Sequence, residues 1–387
     1  MSEQSMRQLV KILRGRAGSF RQLSIGSNSS EKVGALLELA VAHGVEWLIC
    51  DELQQVGDLN VADREILLQA KRRAGIVAMR NCAVLRAVAD LCRNNSLEVL
   101  FFKGAALSVF IHGHPAARRY CDIDLLVKNW NEAERLKQLL VEKGFVCRND
   151  WPAAFNQLKR RYHVEFQLVS PDGTGVDIHW RFFHAYFVDD FLSAQIQAAS
   201  WDEFPMVDIY GVSVKTLPAE ECLLIIAAHH TMHVWNELRL VCDIAGLVAA
   251  SPHIDYHRLF SRASETGSRR MLAVALNLAV LVLGLVLPLP AAEALTNDRP
   301  SRLIALKLYR RLMTGKSDNN RAGSMLLELA CRDGWKARLK FLAVAASQPS
   351  DSDFRFIMLR PPWLWCYFII RPLRQILTIL GFSPVTD

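Results

Sequence analysis

The stretch Cys121-Asp-Ile-Asp-Leu-Leu-Val127 constrains the fold more than any other part of the chain. Its apolar residues read as a buried β-strand, yet strand interiors disfavour aspartate and an unpartnered buried carboxylate is costly. Alternate residues of a strand share a face. Asp122 and Asp124 therefore project together, while Ile123 and Leu125 point into a core. Two carboxylates on one face repel each other unless a cation lies between them. A hard divalent cation such as Mg²⁺ takes oxygen ligands of this kind, one or two carboxylates plus substrate phosphates. The competing reading is a solvent-facing edge strand with two surface aspartates.

The flanking sequence builds an α/β unit around this strand. In "SLEVLFFKG" Val99 to Phe102 form a short apolar strand stopped at Gly104, and "AALSVFIHG" suits a short helix. "NEAERLKQLLVEKG" is a marked helix, capped by Asn129 or Asn131, with Glu132 and Glu134 at its positive end and Gly144 ending it. "FVCRN" begins a strand, and "HVEFQLVSPDGTGVDIHWRFF" reads as two strands around a "PDGTG" turn. The unit runs from about Ser96 to Phe183. Upstream, residues 1 to about 30 read as a loose lead-in with one short helix. Helical spacing follows, broken at Gly44, and then a long helix from about Asp63 to Arg93. From Pro218 the pattern is helical, with breaks near Pro252, Pro288 and Ser347. The expected class is α+β: a small mixed-sheet core at 94–215, an N-terminal helical region at 1–93, and a C-terminal helical domain at 216–387 ending in a basic, aromatic tail.

Other residues gather around the aspartate pair. Asp177 is a third carboxylate in a strand-like segment, and three aspartates would hold two metals for an in-line phosphoryl displacement. Taken alone, Asp177 reads equally as an exposed residue near the hairpin turn. Gly104 would let the backbone approach a phosphate at the start of the helix that follows, where an anion is favoured. Lys103 would add positive charge there, or snorkel as a surface lysine at the strand end. Arg118 and Arg119 would clamp phosphates, and the motif spacing favours Arg118. His179 falls on the Asp177 face by the strand period, with Trp180 in the core. His229 and His233 stand four apart on one helix face. His230, Thr231 and Met232 lie between them, and the glutamate of a His-Glu-x-x-His zinc motif is missing. Histidines hydrogen-bonded within the helical region, or facing the cleft beside nucleotide or acceptor, are favoured over zinc.

The order strand, glycine turn, helix, Asp-x-Asp strand, later Asp strand resembles the nucleotidyltransferase superfamily related to DNA polymerase beta. The closer resemblance is to an uncharacterised bacterial nucleotidyltransferase-like family. Its members carry Lys-Gly-x-Ala-Leu, Arg-x-x-x-Asp-Ile-Asp-Leu-Leu-Val and Asp-x-His-Trp, matched by Lys103 to Leu107, Arg118 to Val127 and Asp177 to Trp180. "AAHHTMHVW" and "LRLVCDIAGLV" look like that family's helical part, so the resemblance spans roughly residues 30 to 285, and more weakly the C-terminus. It implies a nucleotidyltransferase core and Mg²⁺- or Mn²⁺-dependent transfer of a nucleoside monophosphate from an NTP, ATP being favoured, with release of pyrophosphate. Asp122 and Asp124 would be metal ligands, Asp177 the third carboxylate as ligand or base, and Gly104 would sit at the triphosphate. Where the superfamily has a Gly-Gly or Gly-Ser turn, this chain has Lys103-Gly104-Ala105. Family members are often encoded among polysaccharide or peptide natural-product genes, which implies a sugar, lipid-linked or peptide acceptor. The alternatives are a catalytically weak or inactive nucleotide-binding partner protein in a biosynthetic cluster, and a kinase on the same fold.

Composition narrows the setting. A hydrophobic content of 51% with 22% charged residues excludes global disorder. The net charge of +7 favours anionic partners such as nucleotide phosphates or an anionic membrane surface, with nucleic acid less favoured. Nine scattered cysteines without a Cys-x-x-Cys pair argue against a disulfide framework or thiolate zinc and fit a reducing cytosol. The N-terminus shows no secretory apolar core. The apolar run from Met271 to Leu287 is borderline in length for a span. It contains Asn277 and Gly284 and ends at Pro288, so a buried helix is expected. The aromatic, arginine-bearing segment 353–382 suits either a peripheral contact with the inner membrane or a helical element packed on the domain. The expected location is cytoplasmic.

Overall fold

Two asparagines set the ends of the helices that frame the core. The computed structural model describes residues 3–16, 29–55, 59–150, 155–183, 191–315, 321–347, 353, 356–359 and 361–379. The Asn60 side chain accepts from the Asp63 amide and starts the long helix α4 (Val61–Asn94). Asn129 accepts from the Glu132 amide and starts α6 (Trp130–Glu142). Each cap satisfies an amide that the helix leaves without an internal partner. Before them lie α1 (Glu3–Arg16), α2 (Ser29–Ala42) and α3 (Glu46–Gln54). Gly44 has a φ of +64° and separates α2 from α3, as its position in the sequence predicts.

The sheet has five strands: β1 (Val99–Phe101), β2 (Asp122–Val127), β3 (Val146–Cys147), β4 (Glu165–Val169) and β5 (Gly175–His179), in the order β1-β2-β5-β4-β3. β2 is central. It pairs antiparallel with β1 and parallel with β5, placing Asp124 directly beside Asp177. The aspartate strand is therefore not an edge strand. The short helix α5 (Gly104–His112) links β1 to the loop before β2, and α7 (Asn156–Tyr162) precedes β4. One sheet face, with Ile123, Leu125, Phe166 and Ile178, packs on α4 and α6. The other carries Leu100, Phe102 and Leu126 and joins the large helical core.

Chain 191–347 adds α8 (Phe191–Ala198), a second hairpin of β6 (Met206–Ile209) and β7 (Val212–Lys215), and the helices α9 (Ala219–Met232), α10 (Leu238–Ala250), α11 (Tyr256–Glu265), α12 (Arg269–Leu283), α13 (Leu289–Thr296), α14 (Arg299–Thr314), α15 (Arg321–Ala330) and α16 (Gly334–Ser347). A 3-10 turn (Pro361–Cys366) leads into α17 (Tyr367–Ile379). The apolar run from Met271 is the buried helix α12, and no helix among the described residues is long and apolar enough to cross a membrane. The helix expected in the N-terminal lead-in is present, but its packing corrects the expectation that this segment is loose. α1 is a fourteen-residue helix with Met6, Leu9 and Ile12 fully buried, and the Arg14 guanidinium donates to the Leu281 and Val282 carbonyls at the end of α12.

Candidate active site

The three aspartates expected from the sequence meet at one end of β2 and β5. A cleft of about 560 Å³ opens there, bounded by the β-strand ends, the turn between α2 and α3, and the end of α9. Asp122, Asp124, Asp177, Lys103, Arg118, His229 and His233 all line it. The register accounts for the convergence. Asp124 faces Asp177 across the parallel pair, and Glu165 faces His179 across the β4–β5 hairpin. One sheet face thus presents Asp122, Asp124, Asp177, His179 and Glu165 together.

Asp124 is the centre of this group. Lys103 Nζ donates to its Oδ1 at 2.7 Å, and His179 Nε2 lies 3.2 Å from the same oxygen. Burial pushes the Asp124 carboxyl up, but the Lys103 ammonium and His179 outweigh it and hold the carboxyl well below the usual range. His179 Nε2 also lies 3.2 Å from Glu165 Oε2. Burial opposes protonation of that imidazole, yet Glu165 and Asp124 raise its pKa above the ordinary value. Asp122 is pushed up by burial and by Asp124. Asp177 is pushed up to about 8 by burial, then by Glu165 and Asp124.

This donor set fits a divalent cation. Asp124, Asp177 and His179 each offer one atom, all within 4.8 Å of one another. Hard carboxylate oxygens dominate, as Mg²⁺ or Mn²⁺ requires. The raised Asp177 reports crowded negative charge that a cation would relieve.

Lys103 lines the cleft with its side chain only 10% exposed, so the snorkelling reading does not apply. Gly104 opens α5 with a φ of +55°, and a Cβ there would lie 3.0 Å from the Asp122 carbonyl oxygen. The turn therefore tolerates no side chain directly beneath the aspartate strand. Gly104→Ala is expected to lower stability by roughly 1–2 kcal/mol from the left-handed backbone alone, with a further penalty from the contact. Thermal unfolding checks this, and an unchanged midpoint would contradict it.

Arg118 is buried, and its Nε donates to both carboxylate oxygens of Asp243 on α10, at 2.8 and 3.0 Å. His230 Nε2 lies 2.8 Å from Asp243 Oδ2. Burial, offset only in part by Asp243, lowers the His230 pKa to about 4, so the ring is neutral at pH 7. Asp243 is pushed up by burial, but Arg118 and His230 together hold it well below the usual range. Arg119 instead is exposed and donates from Nη1 to the Val41 carbonyl. His229 and His233 stack edge to face at 4.6 Å. Both are lowered by burial first and by Lys103 second, so they enter the cleft as neutral imidazoles. Glu165, His230 and Asp243 are the residues that the sequence reading missed. Glu165 had a signal, since "HVEFQ" puts it opposite His179 once the hairpin turn is counted. Asp243 had another, being an aspartate inside the apolar helical run "LVCDIAGLV".

The raised Asp177 predicts how stability depends on pH. In the metal-free protein its carboxyl keeps its proton up to about pH 8, whereas in the unfolded chain it loses it near pH 4, roughly the model value. The folded state binds the extra proton between these values, so this group removes stability as pH rises through that window. Asp177→Asn is expected to flatten that decline. Mg²⁺ is expected to raise the melting temperature most at the upper end of the window, because binding there displaces the least proton. Melting curves from acidic to neutral pH that stay parallel between wild type and Asp177→Asn would refute this.

A family model described as an uncharacterised nucleotidyltransferase matches residues 29–284. No curated protein matches the chain. Among solved structures, the crystal structure of an antigenic nucleotidyltransferase-like protein from Paracoccidioides brasiliensis is 18% identical, with 58% of this chain and 91% of that chain covered and a TM-score of 0.32.

Proposed function

Because the chain belongs to the uncharacterised nucleotidyltransferase family, and is by class a transferase, we propose that it moves a nucleoside monophosphate from an NTP to an acceptor hydroxyl or phosphate with the help of Mg²⁺ or Mn²⁺. The observation that carries this reading is the in-register pair Asp124–Asp177, flanked by Asp122 and backed by Lys103 and Arg118 in one cleft. Asp122, Asp124 and Asp177 would hold the cation, which supplies charge neutralisation at the phosphates when bound. Arg118, aimed into the cleft by Asp243, and Lys103 bind the triphosphate oxygens. The N-terminus of α5 at Gly104 adds a favourable dipole. An acceptor oxygen forms a bond to the α-phosphorus as the bond to the β-phosphate oxygen breaks, and pyrophosphate leaves. The pKa of Asp177, raised in the metal-free cleft, would be lowered by the bound cation, and its carboxylate would then take the acceptor hydroxyl proton. His229 and His233, neutral and on the far wall, orient the acceptor.

In this reading residues 94–215 supply the carboxylates, 216–387 supply the aspartate and histidines that hold Arg118 and face the acceptor, and 1–93 close the cleft at Val41 and Gly44. ATP is the proposed donor, and a sugar, lipid-linked or peptide biosynthetic intermediate of the cytoplasm the proposed acceptor. The test incubates purified protein with α-³²P- and γ-³²P-labelled NTPs, Mg²⁺ or Mn²⁺ and a cell extract as acceptor pool. Transfer of the α label supports the reading. Transfer of only the γ label makes the protein a kinase, and metal-dependent binding without transfer makes it a nucleotide-binding partner.

A further inference from the structure

The C-terminal helix α17 faces the wrong way for a helix bathed in water. Such a helix normally turns its apolar stripe inward and its charges outward. Here Ile369, Leu373 and Ile376 are 52%, 56% and 53% exposed. The two arginines turn inward instead: Arg371 Nη1 and Arg374 Nε donate to the two oxygens of Asp353, at 3.0 and 2.6 Å, and Asp353 is fully buried. The apolar surface continues past the helix. Trp363 and Trp365 on the preceding 3-10 turn are 59% and 56% exposed, and α16, packed against α17, adds the exposed Trp335. Monomeric soluble proteins seldom leave a contiguous apolar face of this kind to solvent.

We propose that this face docks on an anionic phospholipid bilayer surface. Charge complementarity selects that occupant. The stretch 334–379 carries seven Lys and Arg residues against two Asp, and Lys336 and Lys340 are exposed beside Trp335 on α16. Basic groups at the rim of an apolar face are drawn to anionic headgroups, and tryptophan prefers the headgroup level. Asp353 holds both arginines beneath the helix and leaves them a net charge of +1, so the outward face of α17 meets the acyl boundary with apolar side chains. At thirteen residues α17 is too short to span, and it would lie in the plane of the interface. A second copy of this chain is a poorer occupant, because a two-fold contact would bring the same lysines together. The inference is independent of nucleotidyl transfer.

The test is co-sedimentation of the full-length protein with mixed phosphatidylglycerol–phosphatidylcholine vesicles and with pure phosphatidylcholine vesicles. Binding to the mixed vesicles alone, weakened by salt, is expected. A Trp363→Ser/Trp365→Ser/Leu373→Ser protein, altered only at exposed positions, is expected to partition at least about tenfold less. A Lys336→Glu/Lys340→Glu protein is expected to lose the preference for anionic lipid while keeping the wild-type melting temperature. Failure to bind the mixed vesicles, binding by both variants equal to that of the wild type, or a dimer in sedimentation velocity that the tryptophan variant dissolves would each overturn the proposal.

Discussion

Asp124→Ala is expected to lower nucleotidyl transfer by about a thousandfold or more, equivalent to about 4 kcal/mol of transition-state stabilisation. Asp124 pairs with Lys103, approaches His179, and stands beside Asp177 in register. Its loss removes a proposed cation ligand and at the same time releases Lys103 from its fixed position. Asp124→Asn keeps the shape but removes the negative charge and leaves one neutral carbonyl oxygen, so it is expected to fall nearly as far. Arg119→Ala, by contrast, removes an exposed side chain bonded to the Val41 carbonyl and is expected to cost less than tenfold. The readout is the rate of α-³²P transfer. An Asp124→Ala protein retaining a tenth of wild-type activity would remove Asp124 from the centre of the reaction.

The largest stability effect is expected away from the carboxylates. Asp243→Ala leaves Arg118 as a buried cation without its carboxylate and deprives His230 Nε2 of the oxygen it bonds. Breaking one side of a buried ion pair costs about 3–5 kcal/mol, which for a chain of this size lowers the melting temperature by about 4–6 °C. The second substitution Arg118→Met, made in the Asp243→Ala background, removes the orphaned charge and is expected to restore most of that loss. Recovery of stability without recovery of transfer would separate the two parts of the pair: Asp243 positions, and Arg118 reaches the phosphates. A single variant within about 1 kcal/mol of wild type would show that water reaches this pair, a smaller penalty than burial implies.

Elements whose identity is set by local chemistry were readable before the structure was known. Asn129, Gly144 and the acidic first turn mark α6, and the Pro-Asp-Gly-Thr-Gly turn marks the β4–β5 hairpin. The aspartates stood out because they violate the strand pattern that surrounds them. The β6–β7 hairpin escaped notice although "VDIYGVSV" alternates around Tyr210 and Gly211, both with positive φ. Four-residue strands of this kind are weak against a background of longer helices. α1 was expected as a short helix, but its burial was missed for a different reason. A basic helix with mean apolar content this low is recognisable as a core element only when the partners that enclose it are in view, and two of them, α12 and α14, lie more than 250 residues later. The helical half of the site failed in the same way: Asp243 and Arg118 are 125 residues apart, and periodicity carries no information across that distance. Local rules reported which residues were anomalous, but the pairing that resolves each anomaly is tertiary.

The Arg14 contact with α12 has a consequence for how the chain is made. Arg14 and Val282 are separated by 268 residues. At about 5–20 residues per second of translation, α1 waits on the order of tens of seconds with α2 and α3 already made but α12 and α14 not. During that interval the Arg14 guanidinium lacks the α12 carbonyls that it bonds in the folded protein. The first helix of newly made protein is therefore held by its near neighbours in sequence alone, and its packing is completed only when the last third of the message has been read.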